Sequence, residues 1–158
     1  IKYSILTNGL MFKEFHTKVP YVINNLQELG VSIDGASKET YEKLRLGGNW
    51  DKIRENLDCI AELKEKHNFR FTLFFVVQKD NYHEMEEITL LGKQYNADRI
   101  WLSRIQDWNT FENFEDHNIF NTAHPLNSEY QKQLSKLEEF SKTLDGNILE
   151  EATLRQLH

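Results

Sequence analysis

The stretch GVSIDG places Ser32 and Asp34 two residues apart at the end of a short apolar segment. Side chains two residues apart lie on the same face of a strand, so this pair is predicted to point one way while Val31 and Ile33 point the other. A hydroxyl beside a carboxylate can bind a pair of sugar hydroxyls or the polar head of an amino acid. Arg45, one predicted helix further on, is placed to meet a carboxylate of such a ligand. The pair therefore predicts a polar binding site at the end of this strand.

Polar residues also follow three other apolar segments that are predicted to be strands. In α/β folds, ligands bind beyond the carboxyl ends of the strands, where such residues meet. A strand that emerges into solvent also becomes polar, so one position alone is ambiguous, but four strand ends together favour a binding rim. The residues concerned are Thr7 and Asn8, then Gln78, Lys79 and Asp80, then Ser103, Arg104, Gln106 and Asp107.

The elements that must position this rim alternate between strand and helix. Such alternation predicts an α/β fold with parallel strands joined by right-handed crossovers. Either an open doubly wound sheet or a partial (β/α) barrel fits, and four units make only half of a full barrel. Apolar runs and helical spacing predict strands at 1–7, 31–34, 70–77 and 98–105, helices at 19–29, 50–63, 82–95 and 126–144, and a loop at 106–123.

Two pairs of residues mark helix ends in this scheme. Pro20 suits the first turn of the first predicted helix, and Gly30 suits its C-terminal end. Asn81 followed by Glu84 resembles a capping box, which predicts that Asn81 caps the third predicted helix.

Composition indicates an ordinary soluble domain. The chain has 158 residues, of which 39% are hydrophobic and 28% charged, enough for one domain with a core. Its net charge of -6 argues against a nucleic-acid partner held through phosphates, and no apolar run approaches the ~20 residues that span a membrane. A cytoplasmic location is the default, because no signal peptide is visible.

The chain starts at Ile1 directly in an apolar segment, so we expect a fragment of a longer protein.

Other reactive residues do not form a convincing site. Cys59, the single cysteine, lies on a predicted amphipathic helix, which favours a packed thiol over a nucleophile. His117, His124 and Asp116 could hold a metal ion, but their spacing in a loop is not typical of one, so no metal is expected. The sequence therefore identifies no catalytic residue.

Four segments, ILTNG, VSIDGASKETYEKLRLGGNWDKIRENL, FTLFFVVQKDN and ADRIWLSRIQDW, resemble in this order the core of radical SAM enzymes, and most closely the branch with a SPASM-type C-terminal extension. The resemblance covers residues 1–110, a half-barrel core, and leaves residues 111–158 as a C-terminal loop and helical extension. It implies a partial barrel of six strands, of which this chain supplies the third to the sixth. It also implies S-adenosylmethionine and a 4Fe-4S cluster at the C-terminal rim, where a 5′-deoxyadenosyl radical forms and abstracts a hydrogen from the substrate.

The resemblance assigns cofactor contacts residue by residue. Ser32 matches the serine that meets the methionyl or ribose part of S-adenosylmethionine, and Asp34 accompanies it as a rim carboxylate. Arg45 matches the arginine that pairs with the methionyl carboxylate.

Three further positions carry contacts by the same resemblance. Gln78 matches a polar residue near the ribose, and Leu102 matches a residue that packs beside the adenine. Asn8, at the tip of the first strand of this chain, is a weaker match.

The cluster ligands of the family do not occur in this chain. The Cys-x3-Cys-x2-Cys motif is absent from the sequence, and Cys59 alone cannot hold a cluster that needs several thiolates. The glycine-rich strand end that holds the methionyl amine is also missing. We therefore expect that the parent enzyme binds S-adenosylmethionine and the cluster, and that this chain alone is inactive.

Two other functions stay open. A relative that kept the half-barrel and lost the cluster would be a non-catalytic binding or scaffold module. An unrelated α/β-barrel enzyme would use Asp34 as a general acid or base. For the radical enzyme, the sequence leaves a peptide, a sugar or a small metabolite as the substrate.

A half-barrel exposes edge strands and apolar faces, which favours self-association. In a chain that stays monomeric, residues 128–158 are expected to fold across an open side.

Overall fold

The strands of this protein form one sheet in the computed structural model, which describes residues 1–144, 146 and 148–158. All neighbouring strands are parallel. The strands are β1 (Tyr3–Thr7), β2 (Leu26–Ser32), β3 (Arg70–Val77) and β4 (Arg99–Arg104), and the helices are α1 (Phe12–Lys18), α2 (Lys38–Leu44), α3 (Trp50–Lys66), α4 (Met85–Gln94), α5 (Asn127–Ser141) and α6 (Glu151–Arg155). Short 3-10 helices occur at Pro20–Asn25, Tyr82–Glu84 and Phe114–Asp116.

The strand order decides between the two architectures that fit the sequence. The order across the sheet is β1-β2-β3-β4, the order along the chain. With this order, every right-handed crossover places its helix on the same face of the sheet. Ile53 of α3 and Val31 of β2 meet at Gly9, and Gly92 of α4 lies against Ile100 of β4. One face is thus covered by helices and the other is open, so the α/β fold is a partial (β/α) barrel and not a doubly wound sheet.

Side-chain alternation agrees with the sequence prediction at Val31, Ser32 and Ile33, but β2 spans Leu26–Ser32 instead of 31–34, and Asp34 lies in the turn beyond it. Leu29, Val31 and Ile33 are fully buried, while Glu28 and Ser32 are partly exposed. The buried set packs into the core between the sheet and the helices. The exposed set lies on the open face, which would be the lumen of a closed barrel.

The helix predicted at 19–29 is wrong. Pro20–Asn25 form a 3-10 helix, and Leu29 belongs to β2. Gly30, which was expected to end the helix, lies within the strand. A Cβ atom at Gly30 would lie 2.6 Å from the Phe74 ring, so the absence of a side chain lets Phe74 cross the open face there.

Residues of the C-terminal extension lie along the outer edge of β4. The Ile100 N–H donates to the Ile148 carbonyl at 2.7 Å, and the Gln156 side-chain amide donates to the Leu102 carbonyl. The extension thus covers one side of the sheet, the outer edge of β4. The outer edge of β1 pairs with no strand in the part of the chain that the structure describes.

The segment after β4 is irregular apart from the 3-10 helix Phe114–Asp116, which agrees with the predicted loop. Among the helices described, none is both long and apolar enough to cross a membrane.

Candidate functional site

Asp34 lies two residues beyond the end of β2, with its side chain turned onto the neighbouring strand. The Ile33 N–H donates to the Phe74 carbonyl at 2.9 Å, and the backbone then turns at Asp34 with a φ of 53°. The Asp34 carboxylate Oδ1 accepts the Val76 N–H at 2.7 Å. The last backbone pair between β2 and β3 is Ser32 with Phe74. Beyond it, the Asp34 side chain supplies the acceptor that the Val76 N–H would otherwise lack.

The second carboxylate oxygen of Asp34 binds Arg45. Arg45 Nη2 lies 2.6 Å from Asp34 Oδ2, and the two side chains are 30% and 14% exposed respectively. Burial raises the pKa of the Asp34 carboxyl from its ordinary value of 3.8, although Arg45 and the Val76 N–H act in the opposite direction. The rim therefore contains a mostly desolvated ion pair.

Arg45 also borders a cleft of about 320 Å³ at the ends of β1 and α2. Its Nε atom is buried and has no hydrogen-bond partner among the described residues. A guanidinium with unused donors is suited to binding a carboxylate. The cleft is lined by Asn8, Leu10, Tyr41, Leu44, Arg45, Leu46 and Gly48.

The predicted rim residues Asn8, Asp34 and Arg45 are thus brought together. Asn8 shares the cleft with Arg45, and Asp34 holds Arg45 from the side of the sheet. Gln78 lies at the end of the next strand, where its Oε1 atom is 3.4 Å from His117 Nδ1. The cleft and the strand ends beside it form the candidate site.

Asn81 connects the ends of β2 and β3, a role that the sequence prediction missed. This side chain is fully buried, and it makes no capping hydrogen bond to the following helix, so the predicted cap is wrong. Its Nδ2 donates to the Val76 carbonyl at 2.8 Å and to the Asp34 carbonyl at 3.1 Å. Its Oδ1 accepts the Gln78 N–H at 2.8 Å. Asn81 thereby fixes the backbone of two candidate site residues.

Glu84, the other half of the predicted capping box, binds a different segment. Its carboxylate accepts the Ala36 N–H at 2.6 Å, the Ser37 hydroxyl at 2.5 Å and the Thr40 hydroxyl at 2.7 Å. Ser37 is the cap of α2, accepting the Thr40 N–H at 3.2 Å. Glu84 therefore anchors the start of α2, the helix that ends beside Arg45.

Ser32 and Leu102 lie on opposite faces of the sheet. Ser32 is partly exposed on the open face and pairs in register with Phe74. Leu102 is fully buried with Ile100 on the covered face. Leu102 is not among the residues that line the cleft beside Arg45.

The open face carries its own polar cluster below this rim. Arg99 Nη2 lies 2.9 Å from Glu28 Oε1, which also accepts the Thr72 hydroxyl at 2.9 Å. The Arg99 guanidinium lies 5.2 Å from the Trp101 ring centre. A cavity of about 250 Å³ over this cluster also contacts Phe74. On the open face, this cavity is thus bordered by the apolar ring of Phe74 and by the ion pair of Glu28 with Arg99.

The histidines His117 and His124 and the thiol of Cys59 do not have the surroundings of metal ligands or of an activated nucleophile. His124 Nε2 contacts the Asp116 backbone carbonyl, and the described residues contain no group of three potential ligands arranged for a metal ion. Burial lowers the pKa of His117 from its ordinary value, which favours the neutral ring. Burial raises the pKa of the Cys59 thiol, the opposite of what an activated nucleophile needs. The chemistry of the cleft suits a small polar molecule, and none of the described residues named here has the geometry of an activated nucleophile.

Comparisons with known proteins bear on the fold alone. No protein-family model matches the chain, and no curated protein sequence matches it significantly. The structure is similar to TYW1 with a lysine-pyruvate adduct bound, with a TM-score of 0.57 and 14% identity over 90% of this chain and 41% of that chain. It is also similar to Streptococcus suis SuiB bound to S-adenosylmethionine, with a TM-score of 0.55 and 14% identity over 87% of this chain and 30% of that chain.

This chain spans less than half the length of either of those proteins. Along most of its own length, it has the same strand–helix fold as TYW1 and SuiB.

Proposed function

We propose that this chain is the S-adenosylmethionine-binding half of a radical SAM enzyme. The observation that carries the proposal is the rim cleft, which Asn8 and Arg45 line and where Asp34 holds the Arg45 guanidinium. The sequence segments that resemble the family contain the residues at this rim. A protein of the same fold, SuiB, is bound to S-adenosylmethionine, which supports the same ligand here.

The residues of the cleft fit the amino-acid end of that cofactor. Arg45 would bind the methionyl carboxylate through guanidinium donors that Asp34 does not occupy, and Asn8 lines the same cleft. Ser32 and Gln78 are placed at neighbouring strand ends, where they would bind ribose hydroxyls. Leu102 would contribute only through its position in β4, because its side chain lies in the core.

The 4Fe-4S cluster does not fit this chain. The sequence contains one cysteine, whereas such clusters are held by several thiolates. The cluster ligands of the proposed enzyme therefore belong to another segment or chain. When both are bound, cofactor and cluster supply hydrogen-atom abstraction, and the residues described above hold and orient the cofactor.

The substrate of the proposed enzyme would lie over the open face of the sheet. The cavity between Phe74 and the ion pair of Glu28 with Arg99 faces this side. A peptide, a sugar or a small metabolite each fits this description.

A non-catalytic binding module is the second candidate, and the single cysteine favours it. An enzyme that uses Asp34 as a general acid or base is less favoured. Both oxygens of that carboxylate already accept hydrogen bonds from Val76 and Arg45. A general base needs an oxygen within reach of the substrate proton.

Titration of the chain with S-adenosylmethionine, followed by amide NMR, tests the binding site. We expect weak binding, with shifts centred on Asn8, Arg45 and Gln78, because the cluster ligands and the glycine-rich strand end of the family are absent from this chain. Arg45→Ala should weaken binding roughly tenfold, as expected for the loss of a charge-assisted hydrogen bond. Arg70→Ala, which changes an exposed arginine at the opposite end of β3, is the matched control.

Shifts elsewhere, or equal effects of the two substitutions, would contradict the site. A dissociation constant below ~10 µM for the chain alone would favour the binding module. The radical enzyme itself predicts a brown, oxygen-sensitive protein when the chain is joined to its upstream coding sequence and supplied with iron and sulfide. A gene without a cysteine triplet upstream would rule that enzyme out.

A further inference from the structure

Asp34 directs its carboxylate into the protein. Its Oδ1 atom accepts the Val76 N–H at 2.7 Å, and its Oδ2 atom lies 2.6 Å from Arg45 Nη2. Only 14% of the side chain is exposed. The carboxylate is therefore engaged with protein donors on both oxygens, which does not suit a direct contact with a ligand.

The backbone around Asp34 is held in a conformation that few residues adopt. Its φ of 53° is in the left-handed region, and Asn81 donates to its carbonyl at 3.1 Å. A Cβ atom at the next residue, Gly35, would lie 2.5 Å from the Tyr41 backbone nitrogen. This turn therefore packs directly on α2, one helical turn before Arg45.

Arg45 is held at its backbone by α2 and at its side chain by Asp34. Its N–H donates to the Tyr41 carbonyl at 2.9 Å, which holds its backbone at the end of α2. Its Nη2 atom is held by Asp34, while its buried Nε has no partner among the residues described. The guanidinium is thus held at Nη2, and the Arg45 side chain lines the cleft beside it.

We propose that Asp34 is a positioning residue, which holds the Arg45 guanidinium so that it can receive a carboxylate in the cleft. The identity of that carboxylate, the methionyl group of S-adenosylmethionine, rests on the proposed function. The fixed orientation of Arg45 does not, because it follows from contacts within the chain.

Side-chain NMR of the arginine Nε–H groups tests the positioning without a ligand. In the unaltered protein, the Arg45 signal, assigned by its loss in Arg45→Ala, should be dispersed and slow to exchange. Asp34→Asn keeps an oxygen for the Val76 N–H but removes the charge that binds Arg45. We expect this variant to keep its amide spectrum, including Val76, while the Arg45 signal joins those of exposed arginines. An unchanged Arg45 signal in Asp34→Asn would overturn the proposal.

Asp51→Asn is the matched control, because Asp51 also pairs with a basic side chain, Lys38 at 3.0 Å, but on the surface. It should leave the Arg45 signal unchanged. If Asp34→Asn does not fold, Asp34→Glu serves instead. The longer Glu side chain should restore the ion pair in a shifted position, so the Arg45 Nε–H signal should move but remain slow to exchange. An Arg45 signal that does not move in Asp34→Glu would contradict the positioning role.

The S-adenosylmethionine titration separates positioning from direct contact. Asp34→Asn should weaken binding roughly tenfold in the unaltered protein, the effect of one misplaced charged hydrogen bond. In the Arg45→Ala background it should have no further effect, because residues that act through one another are not additive. An additive effect would overturn the proposal in favour of direct contact. If the unaltered protein does not bind at all, the proposed function fails, and the NMR result still decides the positioning.

Discussion

At the scale of single residues, Asp34 places a negative charge where the surroundings disfavour it. Burial raises the pKa of this carboxyl, and the opposing effects of Arg45 and the Val76 N–H do not fully compensate. Buried ion pairs often contribute little to stability, because desolvation offsets their attraction. The pair is therefore better explained by the orientation that it imposes on Arg45 than by a gain in folding free energy.

The raised pKa of Asp34 predicts a pH-dependent stability. The unfolded chain releases the Asp34 proton near the ordinary value of 3.8, while the folded chain retains it to higher pH. This contribution to the free energy of unfolding is fully present below that value and is lost as the pH rises through the folded pKa. Urea unfolding at several pH values should therefore show the unaltered protein losing stability relative to Asp34→Asn as the pH rises from acid to neutral. A difference that stays constant, or that changes in the opposite direction, would contradict this prediction.

The sequence identified some of these residues and not others. Local patterns in the sequence were enough to select three of them. Ser32 and Asp34 are two residues apart at a strand end, and Arg45 follows one short predicted helix later. Asn81 and Glu84 also formed a local pattern, but they act over 47 and 48 residues of chain, on Asp34 and Ala36. Local spacing cannot reveal such contacts, because they depend on how two loops at neighbouring strand ends pack together.

At the scale of elements, the strands were more predictable than the first helix. β3 and β4 lie within the predicted segments, and for β3 the reason is a nearly continuous apolar run of a length typical of buried strands. The helix predicted at 19–29 failed since Leu29 fits a helical spacing with earlier residues and a strand spacing with Val31. Leu29 adopts the strand conformation because Leu29 and Val31 then share the face of β2 that is fully buried.

Glu84 links two elements, and this predicts the effect of its removal. Glu84→Ala would leave the Ala36 N–H and the hydroxyls of Ser37 and Thr40 without their acceptor. We expect a loss of about 3 kcal/mol in the free energy of unfolding, measured in urea, because one buried and two partly buried donors lose a charged partner. Amide hydrogen exchange should also become faster at Ala36 and at the start of α2.

Glu87→Ala is the control for this change, because Glu87 is exposed in the first turn of α4. It should alter the free energy of unfolding by less than ~0.5 kcal/mol. Similar losses for the two variants would show that the Glu84 contacts do not hold α2 in solution.

At the scale of the whole molecule, the two edges of the sheet differ. The C-terminal extension covers β4 through Ile148 and Gln156, whereas β1 has no strand neighbour among the residues that the structure describes. Leu6 of β1 is 69% exposed on the open face. An exposed strand edge beside an exposed apolar side chain is a surface on which a second strand can pair.

We expect two copies of this chain to associate through β1, because the donors and acceptors of one free strand edge match those of an antiparallel copy. Light scattering at tens of micromolar should give a mass above the 18.8 kDa of one chain. Leu6→Lys should restore the monomer, since a charged side chain at an edge strand opposes pairing. Leu90→Lys, which changes a leucine that is 51% exposed on α4, should leave the association intact. A monomer in the unaltered protein, or equal effects of both substitutions, would show that β1 is not the surface through which copies associate.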